Sequence, residues 1–394
     1  MWFNYYVEMT FNKPIVYSIK TDYFQVNSMI SVLSFCLISQ SDEQTGSYKM
    51  QYFNYNNLST QNKGTNICLD REQELVSARY PVRISKYYAS LIQKNNDPIW
   101  KQCMPDPQEL EDYDQRPDPL NEINLSPVPG LIHRYPNRVV LLVSNRCPVY
   151  CRFCMRKRLV GNDDAPMDET GFKKALIYIA ANPTICDVIL SGGDPLMLSD
   201  EALHRILSGL RAISHISIVR IGTRVPVTLP ERITPDLCNM LKLFHPLYIN
   251  THFNHPAEIT ADSSKACSAL ADAGIQLGNQ TVLLRGVNDN EDTMRELMSG
   301  LLYIRVKPYY LHQMDLVRGT AHFRTSVETG LEIIRALRGH VSGLAVPHYV
   351  IDLPGGKGKV AILPDVMERK GNMLLLRTYT GEQVAYQDFT AVLE

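Results

Sequence analysis

The sequence has no long apolar run. Its most apolar early stretch, Val26 to Ser39, is 14 residues, short of the roughly 20 that span a bilayer. That stretch has no basic flank before it and no A-x-A pattern after it, so no secretory signal is expected. Net charge is nearly absent as well: Lys+Arg 40 against Asp+Glu 41 leaves −1. No global bias draws the chain to nucleic acid or to acidic membranes. Nor is there a disulfide framework. Nine cysteines, an odd number spread over a long chain, point to a reducing cytoplasm.

The 394 residues allow two or three average domains, or one large α/β barrel with additions at its ends. With 45% apolar and 21% charged residues, the composition is that of a soluble globular protein. Residues 1–71 are rich in Asn, Ser, Tyr and Gln without a sustained period, and read as an irregular or partly disordered leader. Residues 72–130 read as a helical extension, with ISKYYASLI helical in pattern and a loop rich in Pro, Asp and Glu from Pro105 to Pro129. The main domain boundary is expected in that loop.

From Arg138 short β-rich runs alternate with amphipathic helices six times. The strands are expected at 138–144, 186–192, 216–223, 247–253, 277–284 and 305–313. Helices are expected to begin near Asp168, Ser199, Thr234, Thr260, Asn290 and Ser326, each a cap-forming residue. Near-continuous apolar strands joined by helices imply parallel strands with right-handed crossovers. Six units are too few for an eight-stranded barrel. The expected fold is α/β, a partial (β/α)6 barrel over 131–345, with functional residues at the C-terminal ends of its strands. Residues 346–394 read as a short β-rich extension.

Three of the nine cysteines, Cys147, Cys151 and Cys154, form a C-x3-C-x2-C array directly after the first strand. Thiolates are soft ligands suited to iron–sulfur clusters or zinc. A closed zinc site needs a fourth ligand, for which the distant His252 and His255 are candidates. A four-iron cluster held by three cysteines keeps one iron open for another ligand. The other six cysteines (Cys36, Cys68, Cys103, Cys186, Cys238 and Cys267) have no expected partner. After the second strand comes SGGDP, Ser191 to Pro195, where glycines let backbone groups approach a ligand closely.

This array followed by SGGDP resembles the radical S-adenosylmethionine (SAM) superfamily. The resemblance narrows to the lysine 2,3-aminomutase family through SPVPGLIHRYPNRV (126–139), VRIGTRVPV (219–227), NTHFNHPAEIT (250–260), LGNQTVLLRGVND (277–289), MDLVRGTAHFRT (314–325), LRGHVSG (337–343) and YVIDLPGGKGK (349–359). It covers about four-fifths of the chain and implies a [4Fe–4S] cluster on Cys147, Cys151 and Cys154. It further implies SAM at Ser191, Gly192, Gly193, Asp194 and His252, and pyridoxal 5′-phosphate (PLP) held by Arg134, Tyr135, Arg138 and Gln280. Lys359 matches the lysine that carries PLP as an imine, with Lys357 standing where relatives usually have glycine. Arg156 matches the residue gripping the substrate α-carboxylate, a task suited to a planar guanidinium. Asp315 and Asp352 match the two carboxylates that receive the distal ammonium of lysine. Glutamate-type relatives resemble Lys and Asn at those positions.

The implied reaction is radical migration of the lysine amino group from C2 to C3, giving β-lysine. It starts with a hydrogen taken by a 5′-deoxyadenosyl radical. The alternatives are a 2,3-aminomutase acting on glutamate or a protein-bound lysine, a radical SAM enzyme without PLP, and a zinc-binding interaction module. Long relatives carry a zinc-binding tail together with one barrel cysteine. Here no Cys follows Cys267 and Asn290 stands at the barrel position, so the reading is a short member with no zinc. Expected partners are a small amino acid, an electron donor such as flavodoxin or ferredoxin, and further copies of the chain. Neither nucleic acid nor membrane is expected, and the location is expected to be cytoplasmic.

Overall fold

The computed structural model describes residues 69–112, 115–161, 167–364, 366–370 and 373–387, with the backbone of 52–54. Most of the expected leader, with Cys36 and Cys68, lies outside the described residues. Those described fall in one compact unit. No helix among them is long and apolar enough to cross a membrane.

The described residues form fourteen strands. β1 (Tyr52–Asn54) pairs with β2 (Arg83–Ser85). β3 (Leu131–Tyr135), β4 (Arg138–Ser144), β5 (Asp187–Gly192), β6 (Ile218–Gly222), β7 (Leu247–Thr251), β8 (Gln276–Leu283), β9 (Lys307–Gln313), β10 (His348–Leu353) and β11 (Gly358–Ala361) form one nine-stranded sheet in sequential order. β12 (Met367–Lys370), β13 (Met373–Arg377) and β14 (Gln383–Gln387) make a small antiparallel sheet. β4 to β10 are parallel, and β3 and β11 flank them antiparallel.

All six crossover helices start at the residues expected from sequence. Asp168, Ser199, Thr234, Thr260, Asn290 and Ser326 each accept a hydrogen bond from the N–H three residues on, at 2.6–3.2 Å. Such caps contribute about 1 kcal/mol each. The structure departs from the sequence reading in three places. β3 was not anticipated, and YVIDL and KVAIL join the main sheet as β10 and β11 rather than a separate extension. ISKYYASLI is only partly helical: it opens as β2, and Ser85, accepting from the Tyr88 N–H at 3.0 Å, caps a helix of five residues, Lys86–Ser90.

Strand alternation decides what each face does. Val139, Leu141, Val188, Leu190, Val219, Ile221, Leu247 and Ile249 are buried in the main hydrophobic core with residues of the crossover helices. Their neighbours Arg138, Ser191, Arg220, Asn250, Gln280, His312 and Asp352 point the other way, into a cavity of about 570 Å3. That volume suits a cofactor and substrate together. The sheet does not close into a ring, because β3 and β11 share no ladder.

Candidate active site

Cys147, Cys151 and Cys154 sit on the loop leaving β4 and line the cavity wall. The loop is pinned by the segment before the barrel. Tyr150 N–H donates to Arg83 O and Arg152 N–H to Gln102 O, both at 2.9 Å. Beneath it, buried Glu109 accepts from Arg152 Nε at 2.8 Å and Nη2 at 2.6 Å, and from Lys157 Nζ at 2.5 Å. Burial pushes the Glu109 carboxyl up, but Arg152 and Lys157 outweigh it and hold the group at about 2. Burial, then Cys151, pushes the Cys154 thiol up to about 11. Burial, followed by Asp194, Cys154 and Cys151, raises Cys147. The three sulfurs therefore feel one another, and a bound cationic centre is what would draw them to thiolates. Among the described residues no three ligand side chains converge as they do around a single ion. Three soft thiol donors on one cavity-lining loop are the ligand type an iron–sulfur cluster takes, so this donor set fits one.

The SGGDP turn leaves β5 beside that loop. Gly192 has φ +127°, and a Cβ on it would lie 2.2 Å from Ser144 O; one on Gly193 would lie 2.4 Å from Arg146 O. The glycines thus serve a close approach to the chain's own backbone at the mouth of the cysteine loop. Ser191 Oγ accepts from Arg156 Nη1 at 3.1 Å. Asp194 accepts from Thr223 Oγ1 at 2.7 Å, Arg224 N at 2.6 Å and Leu196 N at 3.0 Å, so its carboxylate orders the turn. His252, after β7, lines the cavity with a buried Nε2 that has no hydrogen-bond partner. Burial, then Arg224, holds its pKa well down. A neutral imidazole whose Nε2 has no hydrogen-bond partner among the described residues fits the polar end of SAM.

Arg134, Tyr135, Arg138, Gln280 and Lys359 line the same cavity. The Arg138 guanidinium lies 4.6 Å from the Tyr135 ring centroid, and its buried Nε has no hydrogen-bond partner. A half-buried guanidinium whose Nε finds no acceptor among the described residues fits a phosphate. Lys359 Nζ bonds Asp352 Oδ2, and its backbone N–H donates to Tyr135 OH at 2.8 Å. Lys357, exposed as Lys359 also is, does not line the cavity. The two lysines are thereby separated.

Arg156 meets Glu122 side-on, through Nε at 3.2 Å and Nη2 at 2.8 Å. Burial pushes the Glu122 carboxyl up, but Arg156 and Arg158 outweigh it and hold it low. Arg156 Nη1 meets the uncharged Ser191 Oγ rather than a carboxylate. The two aspartates differ. Asp352 is paired with Lys359, with Arg134 Nη1 at 3.1 Å, and lies 3.6 Å from His312 Nδ1. Burial raises its carboxyl, yet His312 and Lys359 prevail and hold it far below the usual range. Asp315, just past β9, has no hydrogen-bonded or ionic partner among the described residues. Burial, then Asp352, pushes its carboxyl up to about 7.

Glu109, Glu122, Arg224 and His312 were not singled out from sequence. His312 had a readable signal, since it sits on β9 in the alternation that faces the cavity. Arg224 stands inside the quoted VRIGTRVPV motif without an assigned role. Glu109 and Glu122 act across sequence separations of 34 to 48 residues, which no local pattern reveals.

Comparison with known proteins follows the same lines. A family model described as the radical SAM superfamily matches residues 141–298, and one described as lysine-2,3-aminomutase matches residues 334–392. The chain is 52% identical over 309 residues to the L-lysine 2,3-aminomutase of Fusobacterium nucleatum, covering 77% of this chain and 73% of the relative. Identity to the L-lysine 2,3-aminomutase of Clostridium subterminale is also 52% over 309 residues, covering 77% and 74%. The glutamate 2,3-aminomutase of Clostridioides difficile is 43% identical over 362 residues, covering 90% and 86%.

Proposed function

The chain belongs to the lysine 2,3-aminomutase family of radical SAM isomerases, and from that premise we propose that it converts free L-lysine to L-β-lysine with PLP as second cofactor. One observation carries the choice of substrate. Asp315 lies in the cavity with no ion pair among the described residues, and burial, then Asp352, pushes its carboxyl up to about 7 against the weaker pull of Lys359 and Arg134. Like charges confined together call for a cation between them. The lysine ammonium supplies it, whereas a glutamate side chain would add a third negative charge.

Cys147, Cys151 and Cys154 would hold the cluster. The Ser191–Asp194 turn and His252 would hold SAM, and Arg134, Tyr135, Arg138 and Gln280 the phosphate and ring of PLP, with Lys359 as its covalent anchor. When bound, the cluster and SAM supply a carbon-centred radical, and PLP supplies a conjugated system across which an amino nitrogen can move. The residues of the chain bind and orient. Arg156, braced by Glu122 and Ser191, would meet the α-carboxylate. Asp352 holds the Lys359 ammonium in the empty chain. Asp352 and Asp315 together would receive the substrate ammonium. Val140, Ile189, Val282 and Met314 in the wall would help keep water out of the cavity. The electron comes from an external donor of the flavodoxin or ferredoxin type, and the working unit is a homo-oligomer in the cytoplasm.

The test is anaerobic reconstitution with iron, sulfide, SAM, PLP and dithionite, followed by turnover of lysine and of glutamate. β-Lysine from lysine is expected. β-Glutamate from glutamate, with lysine unchanged, would overturn the substrate assignment.

A further inference from the structure

Arg224 is buried just after β6 and is held from several directions. Its Nε donates to His252 O at 3.1 Å. Its Nη2 reaches Gln102 Oε1 at 2.6 Å, Glu258 Oε1 at 2.6 Å and Tyr88 OH at 3.1 Å. Its Nη1 points at Cys151 Sγ, 2.8 Å away. Glu258, itself fully buried, balances the charge, and Gln102 and Tyr88 come from the segment before the barrel. A planar guanidinium fixed on these sides cannot turn its remaining edge away from the sulfur.

We propose that Arg224 tunes the iron–sulfur cluster by donating a charged hydrogen bond to the sulfur of Cys151, held in position by Glu258, Gln102 and Tyr88. The inference rests on the reading that Cys151 is a cluster ligand. Reduction adds one electron to the cluster, taken from the external donor, and neither breaks a bond nor moves a proton in the protein. The added negative charge spreads onto the cysteine sulfurs, so a donor fixed on one of them favours the reduced state. Hydrogen bonds to cluster sulfurs are among the factors that set reduction potentials, and a charged donor is about twice as strong as a neutral one. Arg224 therefore raises the potential and eases the electron's entry.

The experiment uses the full chain, labelled with guanidino-15N arginine, reconstituted anaerobically and reduced with dithionite. Pulsed electron paramagnetic resonance is expected to detect a 15N coupling to the reduced cluster. In Arg224→Lys, which keeps a cation opposite Glu258 but loses the guanidinium fork, that coupling disappears. In a redox titration of the same variant at full iron content, the reduced-to-oxidised ratio at the parent's midpoint falls about tenfold, a shift of about 59 mV to more negative potential for a one-electron couple. A cluster without 15N coupling, or a variant with full iron and an unchanged midpoint, overturns the assignment of Arg224 alone. If the variant fails to take up iron, the coupling in the parent decides. Failure of the parent itself to bind iron overturns the cluster reading beneath it.

Discussion

Replacing Asp315 by Asn should stabilise the empty protein, and by an amount that depends on pH. Between its ordinary value of 3.8 and about 7, the Asp315 carboxyl binds a proton more tightly when folded than when unfolded. Stability therefore falls as pH rises through that window, and the penalty is complete above about pH 7. Taken at face value the displacement corresponds to about 4 kcal/mol. Water in the cavity reaches this part-exposed side chain and screens it, bringing the figure to about 2 kcal/mol. For the described residues that amounts to a rise of about 3 °C in melting temperature. The assay is a thermal melt of parent and Asp315→Asn at about pH 8 and about pH 4, without cofactors. The variant should melt higher at the upper pH and level with the parent at the lower. Equal melting at both, or a gain independent of pH, would refute the reasoning. Binding reverses the sign. A lysine ammonium stabilises the ionised carboxyl, so the variant should lose about tenfold to hundredfold in kcat/KM for lysine.

The remaining predictions concern the walls of the site. Glu109→Gln leaves Arg152 and Lys157 buried beneath the cysteine loop with no carboxylate and should cost about 3–5 kcal/mol, read as a lower melting temperature and reduced iron uptake. Because the folded Glu109 is held at about 2, below its ordinary 4.5, the parent loses that contribution as pH falls through this range. The variant's acid unfolding curve should be correspondingly flatter there. Gly193→Ala drives a methyl group to 2.4 Å from the Arg146 carbonyl, and should part the SGGDP turn from the cysteine loop. Lower SAM affinity by equilibrium dialysis is the expected result. Lys359→Ala should abolish borohydride-fixed PLP while Lys357→Ala retains it; the opposite pattern would reassign the anchor.

Much of the barrel was legible because its signals are local. Alternating apolar runs and six cap residues lie within a few positions of the elements they specify, and Asp168 to Ser326 start helices where expected. The cysteine array and SGGDP were legible for the same reason. What escaped depends on partners far along the chain. β3 is short and part polar, LIHRY, and becomes a strand only because Arg138–Ser144 offers it an edge. The brace beneath the cysteine loop joins Arg83, Gln102 and Glu109 to residues 150–157, and nothing periodic marks it. Arg224 shows how a buried charge hides: in VRIGTRVPV it reads as the polar exception in an apolar run, and only its five acceptors give it a purpose. The glycines of SGGDP were legible as a close approach, but the neighbour approached is the chain's own backbone.

The missing ladder between β3 and β11 has a mechanical consequence. β3 meets the other end of the sheet through Tyr135 with the Lys359 N–H on β11 and through Arg134 with Asp352 on β10, so the side chains assigned to cofactor and substrate are also the clasp of the staves. A continuous ladder would add a hydrogen bond for nearly every residue along the strand, whereas this fastening consists of a few contacts. Whatever binds Arg134, Tyr135, Lys359 and Asp352 adds to this fastening, and without it only these few contacts join the two sides. Cargo and hoop are one object, and an empty vessel is a looser one. Backbone amides of β3 and β11 should therefore exchange with solvent faster than those of β6 and β7 on the far side of the sheet, and slow when the cavity is filled.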